Sequence, residues 1–117
     1  MIDEYVYSRL SALAGGRVHY ARMPQTPAYP ALVITIVSSD EQYSDEGHAG
    51  IAEYRVQIDA WGETRADVAA LMVQAKAAMR GSDVDFSVVN EYDNLREREQ
   101  ETDLFRASTD FICWRKN

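Results

Sequence analysis

Residues 52–79 constrain the fold most, because a strand pattern turns into a helix pattern within a few positions. Hydrophobic and polar residues alternate strictly over residues 52–60, which is typical of a half-buried β-strand. Thr64 and Asp67 then resemble a capping box, in which a hydroxyl and a carboxylate bond to free backbone N–H groups at the start of a helix. The helix ends before Gly81, and its apolar positions at helical spacing are Val68, Leu71, Met72, Ala75 and Met79. We therefore expect this helix to pack against the sheet through those side chains.

The N-terminal part of the chain predicts one helix, one short strand and one buried strand. Residues 2–14 are followed by a pair of glycines and carry an apolar helical face made of Ile2, Val6, Leu10 and Leu13. Residues 17–23 can form a strand, and prolines at three-residue spacing make residues 24–30 an extended connector. Residues 31–37 are apolar on both faces, so we expect a strand near the middle of the sheet that pairs antiparallel with residues 52–60.

Two polar segments separate the remaining strands. Residues 38–50 are acidic, contain two glycines and lack large aliphatic side chains, so we predict a loop that projects from one end of the domain. Residues 86–92 predict a strand, and the dense charges of residues 93–102 predict a solvated turn. A last strand is predicted over about residues 103–115, and one of its faces carries Phe105, Ala107, Thr109, Phe111 and Cys113.

The predicted order of elements is helix, strand, strand, strand, helix, strand, strand. Because the strands come in runs and do not alternate strictly with helices, this order favours an α+β fold with a mostly antiparallel sheet. We expect four to five strands with the two helices packed against them. The 117 residues are enough for one domain and too few for two, so we assign residues 1–117 to a single domain.

The charge balance disfavours nucleic-acid and membrane partners. Twelve Lys and Arg residues stand against nineteen Asp and Glu residues, for a formal net charge of −7. Tight binding to DNA or RNA draws on clustered basic residues that displace counterions from phosphates, and the sequence has no basic stripe. Anionic membrane surfaces are disfavoured for the same reason, and the longest apolar run is too short to span a bilayer. The single cysteine, Cys113, excludes an internal disulfide and favours a reducing cytoplasm.

No residue pattern predicts an enzyme. A catalytic site needs a nucleophile, a base and a group that orients them. His19 and His48 fall in a predicted strand and a predicted loop, outside any recognisable catalytic signature. Cys113 alternates with Phe111 on an apolar face, where a structural thiol is favoured over a nucleophile. The sequence contains no phosphate-binding loop and no dinucleotide fingerprint, so we predict no catalytic residue and no cofactor.

The acidic loop is the first candidate for a functional surface. Its carboxylates and its histidine could ligate a divalent cation, but their spacing departs from the register that calcium loops require. We therefore predict no metal site. A solvated loop without a partner and a contact surface in an assembly both stay open, and the candidate contact residues are Asp40, Glu41, Tyr43, Asp45, Glu46 and His48.

The two tryptophans and the last strand offer a second candidate surface. Aromatic residues are enriched at the cores of protein interfaces. For Trp61 a place in the core is favoured, because it lies at a strand end where an aromatic ring can cap a small core. Trp114 shares its strand face with Leu104 and Ile112, and for these residues a core position and a partner contact both stay open.

The layout of the chain resembles that of bacteriophage tail-completion (tail-terminator) proteins. In that family a short N-terminal helix ends in glycine and leads through a proline-punctuated segment into an apolar strand. A polar loop, an alternating strand, a helix rich in alanine and leucine, and two C-terminal strands follow. The resemblance rests here on the prolines before Leu32-Val33-Ile34 and on the segment Val56-Gln57-Ile58-Asp59-Ala60-Trp61, which runs directly into the helix that starts at Thr64.

The resemblance implies a structural, non-enzymatic protein of the tail or neck of a long-tailed phage virion, assembled in the cytoplasm of the host bacterium. Such proteins form a ring, typically a hexamer, on the head-proximal end of the tail tube. The ring stops polymerisation of the tube protein and joins the tail to the head-completion proteins, and DNA passes through it without specific binding. The acidic loop would then meet the tube or line the channel, where negative charge would not trap DNA. Another neck or head-completion subunit is an alternative, and so is a small cytoplasmic ligand-binding or enzymatic α+β domain.

Overall fold

The computed structural model describes residues 2–22, 24–25, 28–44, 47–81, 86–94, 97–99 and 104–116, with the backbone alone in residues 3, 40–44, 47–51, 97–99 and 116. The chain begins with helix α1 (Ile2–Leu10) and a short 3-10 turn (Leu13–Gly16). The remaining elements are, in order, β1 (Val18–Tyr20), β2 (Ala31–Ser44), β3 (Gly47–Gly62), α2 (Arg65–Arg80), β4 (Phe86–Asp93), β5 (Glu97–Glu99) and β6 (Leu104–Lys116).

The strands form one mixed sheet in the order β1-β2-β3-β6-β4, and β5 pairs with β6 beside β4. Only β1 and β2 are parallel among the described strand pairs; every other pair is antiparallel. The predicted α+β class and the antiparallel pairing of β2 with β3 are confirmed. Both helices pack on the same face of this sheet, and the opposite face carries no described helix.

Helix α2 packs on the sheet as its spacing predicts. All five predicted inward positions are buried, namely Val68, Leu71, Met72, Ala75 and Met79. The Thr64 side-chain oxygen accepts a hydrogen bond from the Asp67 backbone N–H at 3.1 Å, so the predicted N-cap forms. Gly62 lets the strand turn into the helix at close range, because a Cβ atom there would lie 2.9 Å from the side chain of Val68.

Helix α1 is shorter than predicted but buries the predicted face. Ile2, Val6 and Leu10 are buried, and the helix ends at Leu10. Arg9 holds α1 against the end of α2, because its guanidinium donates to the carbonyl oxygens of Ala78 at 3.0 Å and of Gly81. These carbonyls have no partner within the helix, and a cation near the C-terminus of a helix also stabilises its dipole.

The loop predicted at residues 38–50 is wrong over most of its length. Strand β2 continues to Ser44 and β3 starts at Gly47, and their pairing extends to Ser44 opposite Gly47. Hydrophobic periodicity ends at the boundary of the core, but backbone hydrogen bonds continue the ladder wherever the strands stay adjacent. Residues 38–50 are therefore polar although most of them belong to a long β-hairpin.

The C-terminal strands are close to their predicted positions. Strand β6 buries Ala107, Thr109, Phe111 and Cys113 against the helices, as the alternation predicts. The solvated turn predicted at residues 93–102 is wrong in part, because β5 (Glu97–Glu99) pairs with β6 inside it. Residues 95–96 and 100–102 of that prediction lie outside the described residues.

Candidate assembly interface

The candidate residues of the acidic segment lie on the β2–β3 hairpin. Asp40, Glu41 and Tyr43 belong to β2 and His48 belongs to β3, whereas Asp45 and Glu46 lie outside the described residues. Strand β6 pairs with β3 only as far as residue 51, where Lys116 is the last partner. Residues 43–50 are here termed the hairpin tip, and the described residues among them lie beyond the last pair of β3 with β6.

This hairpin concentrates the negative charge of the chain. Residues 38–53 contain five of the nineteen acidic residues and none of the twelve basic residues. The remaining residues carry fourteen acidic and twelve basic side chains, so they account for only −2 of the net charge of −7. A partner of the hairpin tip must therefore tolerate or neutralise negative charge.

The three candidate residues of the last strand do not form one patch. Leu104, Ile112 and Trp114 are half-buried and lie on the face of β6 that points away from the helices. Ile112 and Trp114 are next to each other on that face, at positions separated by one residue. Leu104 lies about 26 Å further along the strand, given a rise of about 3.3 Å per residue.

Two ion pairs cross the sheet on this helix-free face. Arg55 of β3 binds Asp110 of β6 at 2.9 Å, and Arg106 of β6 binds Asp59 of β3 at 3.1 Å. Asp110 is only 7% exposed and Asp59 only 6%, although no described helix covers them. Each carboxylate accepts a hydrogen bond from the arginine that binds it.

Hydrogen bonds and aromatic rings hold these ion pairs in place. The Asn94 side-chain amide donates to Asp110 at 3.2 Å, and the Gln57 amide donates to Asp59 at 3.0 Å. The Arg55 guanidinium lies 5.6 Å from the Tyr92 ring centroid, and that of Arg106 lies 5.4 Å from the Trp61 ring. Cation–π contact and hydrogen bonding reduce the freedom of both arginines. The set of ion pairs forms a preorganised polar surface without net charge.

Sequence reasoning missed this surface and misplaced one tryptophan. The core position favoured for Trp61 is wrong, because Trp61 is half-buried on the helix-free face beside Arg106. The signal was a charge of each sign on both strands: Arg55 and Asp59 at odd positions of β3, and Arg106 and Asp110 at even positions of β6. Reading it requires the register that sets Asp59 opposite Ser108, and that register is a property of the folded sheet.

An open cleft lies at the edge of the sheet beside β1. It has a volume of about 510 Å³ and is lined by Tyr7, Val18, His19, Tyr20, Arg22 and Pro24. Its described lining contains no carboxylate, thiol or serine hydroxyl next to His19, so the residues of the cleft do not form a nucleophile–base pair. Tyr7 and Tyr20 stack with ring centroids 5.5 Å apart, which favours a packing role for both rings.

Cys113 is a buried structural thiol. Its side chain is fully buried in the core cluster, and burial raises its pKa from 9.0 to about 12. Thiolate is the reactive form of cysteine, and desolvation disfavours it. This environment does not activate the thiol as a nucleophile.

The raised pKa of Cys113 predicts a loss of stability at high pH. The unfolded thiol ionises near its ordinary pKa of 9.0, whereas the folded protein keeps it neutral up to about 12. Between these values the folded state binds more protons, so the free energy of unfolding falls by up to about 1.4 kcal/mol per pH unit from this group. Urea unfolding measured at several pH values should show that the free energy of unfolding declines less steeply with pH in Cys113→Ala than in the unsubstituted protein. Equal declines in both proteins would contradict this assignment.

The described residues offer neither a metal centre nor a membrane span. No group of three or more His, Cys, Asp or Glu side chains converges among them. Within the same part of the chain, no helix combines the length and the apolar character needed to cross a bilayer.

The described residues thus form an α+β domain with both helices on one face of the sheet and an ion-paired surface on the other. Comparison with protein families shows where this domain belongs: the chain belongs to the family described as tail completion protein gp17, which matches residues 6–115. It is thus a bacteriophage tail-completion protein, and the resemblance stated above is confirmed. The fold is also similar to a chain of a solved structure described as the virion of a native gene transfer agent particle. That similarity has a TM-score of 0.64 at 18% sequence identity and covers 96% of this chain and 92% of that chain. Comparison with curated protein sequences finds no significant match.

Proposed function

We propose that this protein caps the head-proximal end of the phage tail tube as a ring, stops polymerisation of the tube protein and provides the surface that joins tail to head. The observation that carries the proposal is membership of the tail-completion family over nearly the whole chain. The fold it shares with a chain of the gene transfer agent virion agrees with a place in the tail or neck of a particle. Assembly in the cytoplasm of the host bacterium follows from that role.

The partners in this proposal are further copies of the chain, the tail tube protein and the head-completion proteins. The ring is a hexamer, and DNA passes through it without specific binding. The net charge of −7 supports passage without retention, because a negative lumen repels phosphates. The acidic hairpin tip meets the tube or lines the channel. The half-buried residues Ile112 and Trp114, together with Leu104, contribute contacts on the helix-free face.

Deletion of the gene for this chain from a phage that produces virions tests this proposal. Without it, electron microscopy should show tail tubes longer than those of the virion and heads that lack tails, and expression of the chain in trans should restore infectious particles. Tails of normal length that fail to join heads would instead indicate a head-completion subunit.

Native mass spectrometry of the purified chain tests the ring itself. We expect monomers at low salt and low protein concentration, because copies that each carry a net charge of −7 repel one another. We expect closed rings at higher protein concentration or on the ends of tail tubes. A stable, closed dimer with a large apolar interface would contradict the proposal that the chain forms a ring.

A further inference from the structure

The sheet has two open edges on opposite sides. Strand β1 borders β2 only from Leu32 to Ile34, so no described strand borders residues 35–44, here termed the β2 edge. On the other side of the sheet, β4 (Phe86–Asp93) pairs with β6 along one of its edges. No described strand borders the opposite edge of β4, which is here termed the β4 edge. An unpaired edge presents a row of N–H and C=O groups that can pair with another chain.

The exposed hydrophobic side chains concentrate at these edges. Among the described residues, five large hydrophobic side chains are exposed. Tyr20 (42%) and Val37 (50%) lie on the side of the β2 edge, and Val89 (55%) and Tyr92 (46%) lie on the β4 edge. Val73 on α2 is the fifth. Val37 and Val89 each fall at a register shift within their strand, where the regular ladder is interrupted.

These edges can approach each other without strong repulsion, although each copy carries a charge of −7. Residues 35–39 contain no charged side chain. On β4, Glu91 is paired with Arg80 at 2.6 Å and Asp93 with Lys76 at 2.7 Å, so both carboxylates are balanced from α2. Elsewhere on the β2–β3 hairpin, like charges would oppose the association of two copies.

We propose that the β2 edge of one copy pairs antiparallel with the β4 edge of the next copy, with Val37 close to Val89. This inference rests on the proposed function and names the contact between copies in it. Strand β4 runs in the same direction as β3 and opposite to β2, so a rotation about an axis along the strands brings the two edges together antiparallel. In that register Glu91 lies beside Thr35 and far from Asp40. Because the two surfaces differ, the contact is heterologous, and a heterologous contact that closes produces a ring.

Thiol cross-linking in assembled particles tests the contact. Val37→Cys and Val89→Cys are expressed together and separately, and tails are treated with a short bis-maleimide. Cys113 stays silent, because it is buried and its pKa is raised to about 12. We expect cross-linked oligomers only when both cysteines are present. Val73→Cys is the matched control, since Val73 is 68% exposed but lies on α2. Cross-links with either edge cysteine alone would indicate like-with-like pairing and overturn the proposal.

Lysine substitutions separate this inference from the function on which it rests. A charge in the contact should lower each association constant at least about tenfold, so Val37→Lys and Val89→Lys should remain folded yet lose rings and infectious particles. Val73→Lys should retain both. If both edge variants assemble as well as the Val73→Lys control, the edge contact is refuted while the ring proposal stands. If the unsubstituted chain itself does not restore infectious particles, the proposed function is refuted, whatever the edge variants do.

Discussion

Leu71→Asp should remove a large part of the stability of the folded chain. Leu71 is 4% exposed and belongs to the core between α2 and the sheet. The substitution removes apolar burial and places an unpaired carboxylate in a site without a described partner. Burial of an unpaired charge belongs to the few mechanisms that cost about 4–5 kcal/mol, against a total stability of about 5–15 kcal/mol for ordinary domains. Urea unfolding followed by circular dichroism should show a much lower midpoint or no cooperative transition.

Val73→Asp on the same helix is the matched control. Val73 is 68% exposed, so the same carboxylate stays in water there. Surface substitutions usually change stability by less than about 0.5 kcal/mol. The two variants have the same composition apart from the identity of the replaced apolar residue, and they differ in the helical face that is changed. Similar midpoints for both would show that α2 does not pack through the predicted face.

This contrast identifies the part of the fold that could be predicted from the sequence. The burial of α2 depends on a periodicity of side chains within one helix, and the N-cap depends on Thr64 and Asp67, which are close in sequence. The alternation in β3 likewise reports which side chains meet the helices. Both are local patterns produced directly by contact with one core.

The extent of the β2–β3 hairpin could not be predicted by the same reasoning. Residues 37–39 of β2 are exposed, so the hydrophobic pattern that marks the strand ends at Ile36. The ladder nevertheless continues to Ser44 opposite Gly47 through backbone pairing. The predicted helix also extended to Ala14, but Ala14 adopts a positive φ value of 52°, which no hydrophobic pattern reports.

The helix-free face illustrates a different limit. The sequence identified Ile112 and Trp114 as surface candidates, but not the ion pairs beside them. Arg55 and Asp110 are 55 positions apart, and they meet only because β3 and β6 pair in one register. Long-range pairing of polar residues is therefore the part of the candidate interface that requires the three-dimensional structure.

Deletion of residues 42–48 should leave the fold intact and remove function. In the shortened chain Glu41 is followed by Ala49, and Glu41 pairs with Ala52 in the sheet. Residues 49–51 would then close the hairpin as a three-residue turn that contains Gly50, a length common in β-hairpins. The deleted residues include no large aliphatic side chain, so we expect the urea midpoint to remain close to that of the complete chain.

Function should be lost because the deletion removes four candidate contact residues, Tyr43, Asp45, Glu46 and His48, which we propose to contact the tube or line the channel. In a phage that lacks the chain, the deletion variant should give no more infectious particles than cells without any copy. A variant with a Gly/Ser segment of equal length distinguishes shape from chemistry. Because it keeps the length but not the carboxylates or the Tyr43 ring, it should also fail if specific contacts are made there. Full rescue of infectious particles by the deletion variant would show that the hairpin tip is not part of the assembly interface.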